Sequence, residues 1–344
     1  MAQASDDPIP TVTAYQPVPL AMRAAVRRAY GGPDQVTIET VPRPEPGAGE
    51  VLVRVRAAGL DRATLHLLTG LPYLARLALG VRRPTRAILG QQVAGEVVAV
   101  GAGDVPFAVG ARVFGTAASG SFAEYAVATP ARLAATPAEV TDIDAATIGV
   151  SGVTAGEAVL RRGQVQAGQR VLVLGASGAV GSFAVQLAAH LGAQVTGVCS
   201  GAKLEFVRGL GARHVADYRT TALADLGGGF DLIVDIGGNR RVSVLRAALA
   251  PAGRLVIVGG EGGGPMLGGI QRNLVASVAD RFTARHLEWF FGETTTAGCA
   301  ELGSLIAEGT VSPAIDRRVG LDGVVGVIEA MQRGELRGQA VVVP

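Results

Sequence analysis

A chain of 344 residues is too long for one ordinary hydrophobic core and points to two domains. With 49% hydrophobic residues and a formal net charge of only +2, it reads as a compact, core-rich protein with no nucleic-acid or membrane partner. Its two cysteines, Cys199 and Cys299, stand far apart, which argues against both a disulfide scaffold and a cysteine-rich zinc site.

Residues 1–21 are polar and Pro-rich with no apolar centre, so they read as a disordered tail and not as a signal peptide. No uncharged apolar run reaches the roughly 18 residues that a membrane span needs, and a reducing cytoplasmic setting is the default expectation. From Met22 to about Thr136 short β runs alternate with Gly and Pro turns: AMRAAVRRAY, VTIETVP, EVLVRVRAAGL, QVAGEVVAVG, ARVFG and SFAEYAVA. Strands this short and closely spaced predict a twisted, partly open β-barrel. Leu65–Arg86, between two of them, reads as a helix and a loop.

Around Ile143 the texture changes. Two helix-like segments within Asp142–Gly163 lead into Arg170–Gly181, RVLVLGASGAVG. Here a short apolar strand is followed by Gly175, Ala176, Ser177, Gly178, Ala179, Val180 and Gly181, and then by a helix-like run. That order suits a dinucleotide pyrophosphate: the glycines let the backbone approach the phosphates, which sit against unpaired N–H groups of the helix N-terminus. Gly is 49 of 344 residues, about twice the usual share, and sits in short turns as α/β architecture requires. Strand and helix signals then alternate: QVTGVC, KLEFVRGLGA, HVADY, FDLIVDIGG, NRRVSVLRAALAPAG and RLVIVGG. This predicts a doubly wound parallel sheet. Further helices are expected at Ile270–Ala279, Ala300–Glu308 and Val324–Met331, and the chain closes on the strand QAVVVP. The last part has the β texture of the first. The expected organisation is a tail (1–21), a first catalytic segment (22–145), a nucleotide domain (146–292) and a return segment (293–344).

The motifs RAYGGPDQVTIETVPRPEPGAGEVLVRVRAAGL, LGQQVAGEVVAVG, VGARVFG, GSFAEYAV, SGVTA, VLVLGASGAVG, LGARHVADY, FDLIVDIGGN, LAPAGRLVIVGG and RGQAVVVP occur in one order along the chain. Together they resemble the medium-chain dehydrogenase/reductase superfamily, in particular its zinc-independent quinone oxidoreductases and NADP-dependent alcohol dehydrogenase-like members. The resemblance implies a Rossmann domain inserted in a GroES-like catalytic domain, and a homodimer in which HLEWFFG runs edge to edge with its copy. Zinc enzymes of the superfamily carry cysteine where this chain has Asp61 and histidine where it has Gln91, so no metal is expected. Quinone oxidoreductase-like members usually have Asn at the place of Asp61, Asp at Thr64, an acid at Gln92 and often Lys at Gln339. These departures leave open an altered chemistry, such as tailoring of a polycyclic or aromatic intermediate. A non-catalytic scaffold is a third reading, against which the intact glycine motif speaks.

NADP(H) is the expected cofactor. The strand after the glycine motif ends in Ser200 and Lys203 without an acid, and a hydroxyl and an ammonium suit a 2′-phosphate where a carboxylate would repel it. The resemblance adds Tyr218, places Thr154 beside the nicotinamide, and lines the cofactor with Ile236, Gly237, Val258, Gly259 and Gly260. Asp61 reads as a desolvated acid beside the nicotinamide, as a turn or cap aspartate, or as one paired with Arg62. Tyr73 and His66 lie in the segment forming the substrate-side wall in relatives and could donate a proton. Arg76, Arg82, Arg83 and Arg86 read as a solvated face. The expected reaction is hydride transfer to a small planar quinone or α,β-unsaturated carbonyl, with a proton completing the reduction.

Overall fold

The computed structural model describes residues 18–238, 240–259, 264–273, 276 and 285–344. Two sheets carry the architecture. The first has seven strands in the order β14-β15-β3-β4-β5-β7, with β6 also paired to β3. These are β3 (Val51–Leu60), β4 (Gln92–Val100), β5 (Arg112–Thr116), β6 (Tyr125–Ala128), β7 (Leu133–Ala135), β14 (Ile315–Val319) and β15 (Gln339–Val342). Strand β3 is the hub. It pairs antiparallel with β4 along most of its length, with β6 over Val51–Arg54, and with β15 at its far end, where Leu60 faces Ala340. Strands from before and after the parallel sheet in the chain therefore share one sheet. A separate antiparallel ribbon joins β1 (Ala21–Arg27) to β2 (Val36–Pro42).

The second sheet is wholly parallel, in the order β10-β9-β8-β11-β12-β13. Its members are β8 (Arg170–Leu174), β9 (Gln194–Cys199), β10 (His214–Asp217), β11 (Phe230–Asp235), β12 (Leu249–Val258) and β13 (His286–Phe290). Alternate residues of the same strands feed two different cores. Val171, Val173, Val234 and Val256 pack with Phe183 and Leu187 of the helix Ala179–His190 on one face. Leu172, Leu174, Ile233, Leu255 and Ile257 pack with Leu245 on the other. Burial on both faces is why these strands read as continuous apolar runs. The fold is α/β, a Rossmann-type sheet combined with a GroES-like barrel.

Several local expectations are corrected. The helix expected from Leu65 begins at Arg62 and stops at Thr69, where Gly70 takes the left-handed conformation (φ +61°), and the rest of that segment forms only short helical turns at Tyr73–Ala75 and Arg76–Leu79. Leu249–Gly253, read as the end of a helix, opens β12. The helix expected at Ala300 starts at Thr296, because the Thr295 hydroxyl accepts the Gly298 N–H and caps it. Strand β7 was not anticipated. Residues 1–17, Gly260 and part of the expected 270–279 helix lie outside the described residues. Among the described residues no helix is long and apolar enough to cross a membrane.

Leu172 is fully buried in the middle of the parallel sheet. Leu172→Ala is expected to lower unfolding stability by about 2–5 kcal/mol, read from the midpoint of urea denaturation.

Candidate active site

In the parallel sheet the chain runs outward from β8 to β10, then returns to β11 and runs the other way. The strand order reverses between β8 and β11, and a crevice opens at their carboxyl ends, where α/β sheets bind ligands. The nominated glycine loop lies there. Gly175 has φ +86°, Gly178 takes the N-cap position of the helix Ala179–His190 without a side-chain cap, and a Cβ at Gly181 would lie 2.1 Å from the Gly175 carbonyl oxygen. Only glycine lets that helix approach its own turn so closely. Ile236 and Gly237 both donate their N–H groups to Leu174 O, which sets their turn against the glycine loop. Gly259 follows β12 and donates to Phe290 O. Cβ atoms at Gly178, Gly237 and Gly259 would meet nothing closer than 3.5 Å. These positions form an open cradle lined by backbone, and the helix end beside it offers first-turn N–H groups without intrahelical acceptors. The residues fit a dinucleotide.

Two residues that the sequence did not single out hold this cradle. Asp235, 1% exposed, accepts the Gly238 N–H and forms an ion pair with Arg272, and Arg272 Nη1 donates to Gly238 O at 2.6 Å. Together they brace the turn carrying Ile236 and Gly237.

At the end of β9, Ser200, Lys203 and Tyr218 are brought together. Tyr218 donates its N–H to Cys199 O and Lys203 donates its N–H to Ser200 O. The Tyr218 side chain is exposed and lies under the Arg219 guanidinium. Lys203, read from the sequence as a 2′-phosphate ligand, is engaged by the protein itself. It is not solvated: it is buried, and its Nζ donates to the carbonyls of Gly334 (2.7 Å) and Leu336. Burial lowers its pKa from the ordinary lysine value. Gly338 completes this staple by donating its N–H to Ser177 O, so residues 334–338 rest on the glycine loop.

Asp61 stands at the N-cap position of the helix Arg62–Thr69, yet its side chain makes no cap hydrogen bond. It turns inward. Its Oδ2 accepts from Gln92 Nε2 at 3.0 Å and from Ser151 Oγ at 3.3 Å. Gln92 is fixed from the other side, its Oε1 accepting the N–H groups of Val150 and Ser151. Those amides belong to a helical run, residues 148–162, that has widened π turns at Ile148–Gly152 and Glu157–Arg162, a feature common at functional sites. Asp61 is 7% exposed, and burial pushes its carboxyl up to about 6, against the pull of the nearby Thr64 and Ala63 amides, Ser151 and His66. Gln339, at the start of β15, is buried beside this group with neither amide atom hydrogen-bonded. Its Nε2 and that of Gln92 would both lie within 2.7 Å of a Cβ on Gly59.

Thr154 lies one helical turn beyond Ser151, inside the helical run, so it caps no helix. It is buried, and a Cβ at Gly292 would lie 2.2 Å from its Oγ1. Gly292 closely follows β13, so the helical run that carries Ser151 against Asp61 also carries Thr154 against the carboxyl end of β13. Tyr73 is not part of this arrangement. It lies beyond the far end of the helix Arg62–Thr69, half exposed, with its N–H donated to Pro265 O. Arg76 is not a solvated residue: it is wedged between the Tyr30 and Tyr73 rings and donates to the carbonyls of Thr69 and Gly70. His66 Nδ1 lies 2.9 Å from Leu71 O.

Profiles described as "Alcohol dehydrogenase GroES-like domain" and "Zinc-binding dehydrogenase" match residues 47–138 and 210–342. A chloroplastic quinone-oxidoreductase homolog of Spinacia oleracea is 34% identical over 238 residues, 66% of this chain and 71% of its own length. The chain belongs to the medium-chain dehydrogenase/reductase superfamily. It is an oxidoreductase of the quinone oxidoreductase-like branch. A trans-enoyl reductase of Aspergillus terreus is 31% identical over 323 residues, 86% of each chain. Two solved structures, a mycobacterial protein complexed with NADPH and an NAD-dependent alcohol dehydrogenase, each match at 25% identity with a TM-score of 0.78, covering 94% of this chain and 100% of theirs. Among the described residues no three His, Cys, Asp or Glu side chains gather as a metal site. Asp61, bonded to an amide and a hydroxyl, is not arranged as a zinc ligand, whatever the name of the second profile.

The Thr154–Gly292 contact is directly testable. Gly292→Ala is expected to cost about 1–3 kcal/mol in urea denaturation through overpacking. Adding Thr154→Ala, which removes the opposing hydroxyl, should recover most of that loss.

Proposed function

We propose that this chain is a zinc-independent, NADPH-dependent reductase of a small planar quinone or α,β-unsaturated carbonyl. The observation that carries the reading is the open glycine cradle at the reversal of the parallel sheet, joined through Thr154 and Ser151 to a buried acid. When bound there, a reduced nicotinamide supplies hydride. The turn Ile236–Gly237, braced by Asp235 and Arg272, and Thr154 against Gly292 set the position of the reacting centre, and the apolar surroundings exclude water. Ser200, Lys203 and Tyr218 form the 2′-phosphate end: Lys203 has a third N–H beyond the two already given to carbonyls. The aromatic pair Trp289 and Phe291, 5.6 Å apart at the end of β13, suits a planar substrate. The same strand forms one edge of the parallel sheet and is the surface through which the chain would form a homodimer.

One observation favours NADH instead. Asp217 Oδ2 would lie 2.6 Å from a Cβ on Gly201, which puts a carboxylate against the loop that follows β9. The two cofactors are separated by titration. NADPH is expected to bind at least tenfold tighter than NADH, and Lys203→Ala should erase much of the gap, since a charge-assisted contact contributes roughly 1.5–3 kcal/mol. Equal dissociation constants by fluorescence titration would overturn the NADPH assignment.

Metal should be dispensable. Protein dialysed against a chelator is expected to keep its Tm and its rate of NADPH oxidation with quinone or enone acceptors. Stoichiometric zinc by elemental analysis, lost together with activity, would defeat this.

A further inference from the structure

The surroundings of Asp61 differ from those of a structural aspartate. Both side-chain donors, Gln92 Nε2 and Ser151 Oγ, converge on one oxygen, Oδ2. That leaves Oδ1 without a side-chain donor, with the Thr64 and Ala63 amides as the other groups drawn to the carboxyl. Its own helix carries two charged or titratable groups, Arg62 and His66, of which His66 acts on the carboxyl; Gln92 of β4 and Ser151 of the helical run are neutral, and Gln339 of β15 adds a second neutral amide nearby. No Lys or Arg among the described residues is bonded to it. Burial raises the carboxyl's pKa, and the Thr64 and Ala63 amides, Ser151 and His66 offset only part of that rise.

We propose that Asp61 is the catalytic acid of this oxidoreductase, protonating the reduced substrate from Oδ1, and that Ser151 and Gln92 are its positioning residues. The assignment rests on the reductase reading above. As a C–H bond forms at the electrophilic carbon of the substrate, the π electron pair moves to its carbonyl oxygen or α-carbon. Asp61 gives its proton to the atom that gathers that pair. The substrate is thereby reduced by two electrons, the nicotinamide oxidised, and the carboxylate left on Asp61 regains a proton from solvent. The acid form is the active one, so turnover falls as pH rises through the pKa of Asp61. Ser151 favours the charged form. Its removal therefore raises that pKa and moves the falling limb to higher pH.

Two readouts test this, one independent of turnover. In cofactor-free protein labelled with ¹³C at aspartate carboxyls, one resonance should titrate near pH 6, vanish in Asp61→Asn, and shift to higher pH in Ser151→Ala. In steady-state NADPH oxidation with quinone and enone acceptors, Asp61→Asn should lower kcat by roughly 10²–10⁴-fold and flatten its pH profile. Ser151→Ala should move the limb in step with the resonance, and Ser151→Thr should restore both. A merely structural Ser151 would lower kcat without moving the limb. If Asp61 titrates in the ordinary aspartate range, or if Asp61→Asn leaves the pH profile unchanged, the acid assignment is overturned while the reductase reading stands. A wild-type protein that oxidises neither NADPH nor NADH with any acceptor would overturn both.

Discussion

The pairing of β3 with β15 is the constraint on which the rest of the site depends. Leu60 and Ala340 face each other across 280 residues of sequence. Without that register the C-terminal strand would not reach the end of β3, Gln339 would not lie beside Gln92, and residues 334–338 would not rest on the glycine loop. The loop closure is entropically costly, but its cost grows only slowly with length and is offset by strands buried on both faces. Strand β3 is almost continuously buried, and its last residue delivers Asp61 into the interior where a surface turn would have left it in water.

Once Asp61 is delivered there, electrostatics decide its state. A charged carboxylate in an apolar surrounding needs a cation or several strong donors, and here its side-chain donors are one amide and one hydroxyl, whose pull, with that of the Thr64 and Ala63 amides and His66, does not outweigh burial. Asp235 shows the contrast within the same molecule. It is as deeply buried, but an arginine is paired with it and it serves to hold a turn. One acid is neutralised by a partner and becomes structural. The other has no bonded arginine or lysine among the described residues, and burial holds its proton on.

What was legible in the sequence was local. The glycine loop, its flanking strand and helix, and the alternation of the parallel sheet follow from spacings of a few residues, and the structure places Gly175–Gly181, Ile236, Gly237 and Gly259 around one crevice. The paired use of Val and Leu at alternate positions of β8, β11 and β12 was legible as an apolar run but not as two separate cores, because burial on both faces erases the period-2 pattern. What was not legible was long-range. Lys203 looked like a surface lysine or a ligand because nothing near it in sequence hints at the carbonyls of Gly334 and Leu336, more than 130 residues away. Ser151 opens the SGVTA motif, but nothing local hints at its bond to Asp61, 90 residues away, and Tyr73, expected with His66 on a substrate-side wall, lies beyond the far end of the helix Arg62–Thr69. Asp61, Gln92 and Gln339 did carry a signal, as three departures from the family pattern. Their meaning came only from the discovery that they share one buried cluster.

That cluster also shows what the residues usual in the resembling family would do if placed here beside Asp61. Placing an acid at Gln92 would put a second carboxylate about 3 Å from Asp61 Oδ2, and two buried charges at that separation cannot both ionise. Placing a lysine at Gln339 would set a cation near Gln92 and Asp61, draw the carboxyl toward its charged form, and remove the proton from the range in which it can be given. Neutral amides at both positions avoid each of these outcomes while keeping donors at hand. The three residues therefore act as one electrostatic unit: burial keeps the proton on the acid at 61, the neutral amide at 92 spares it a competing carboxylate, and the neutral amide at 339 adds no cation to draw the proton off.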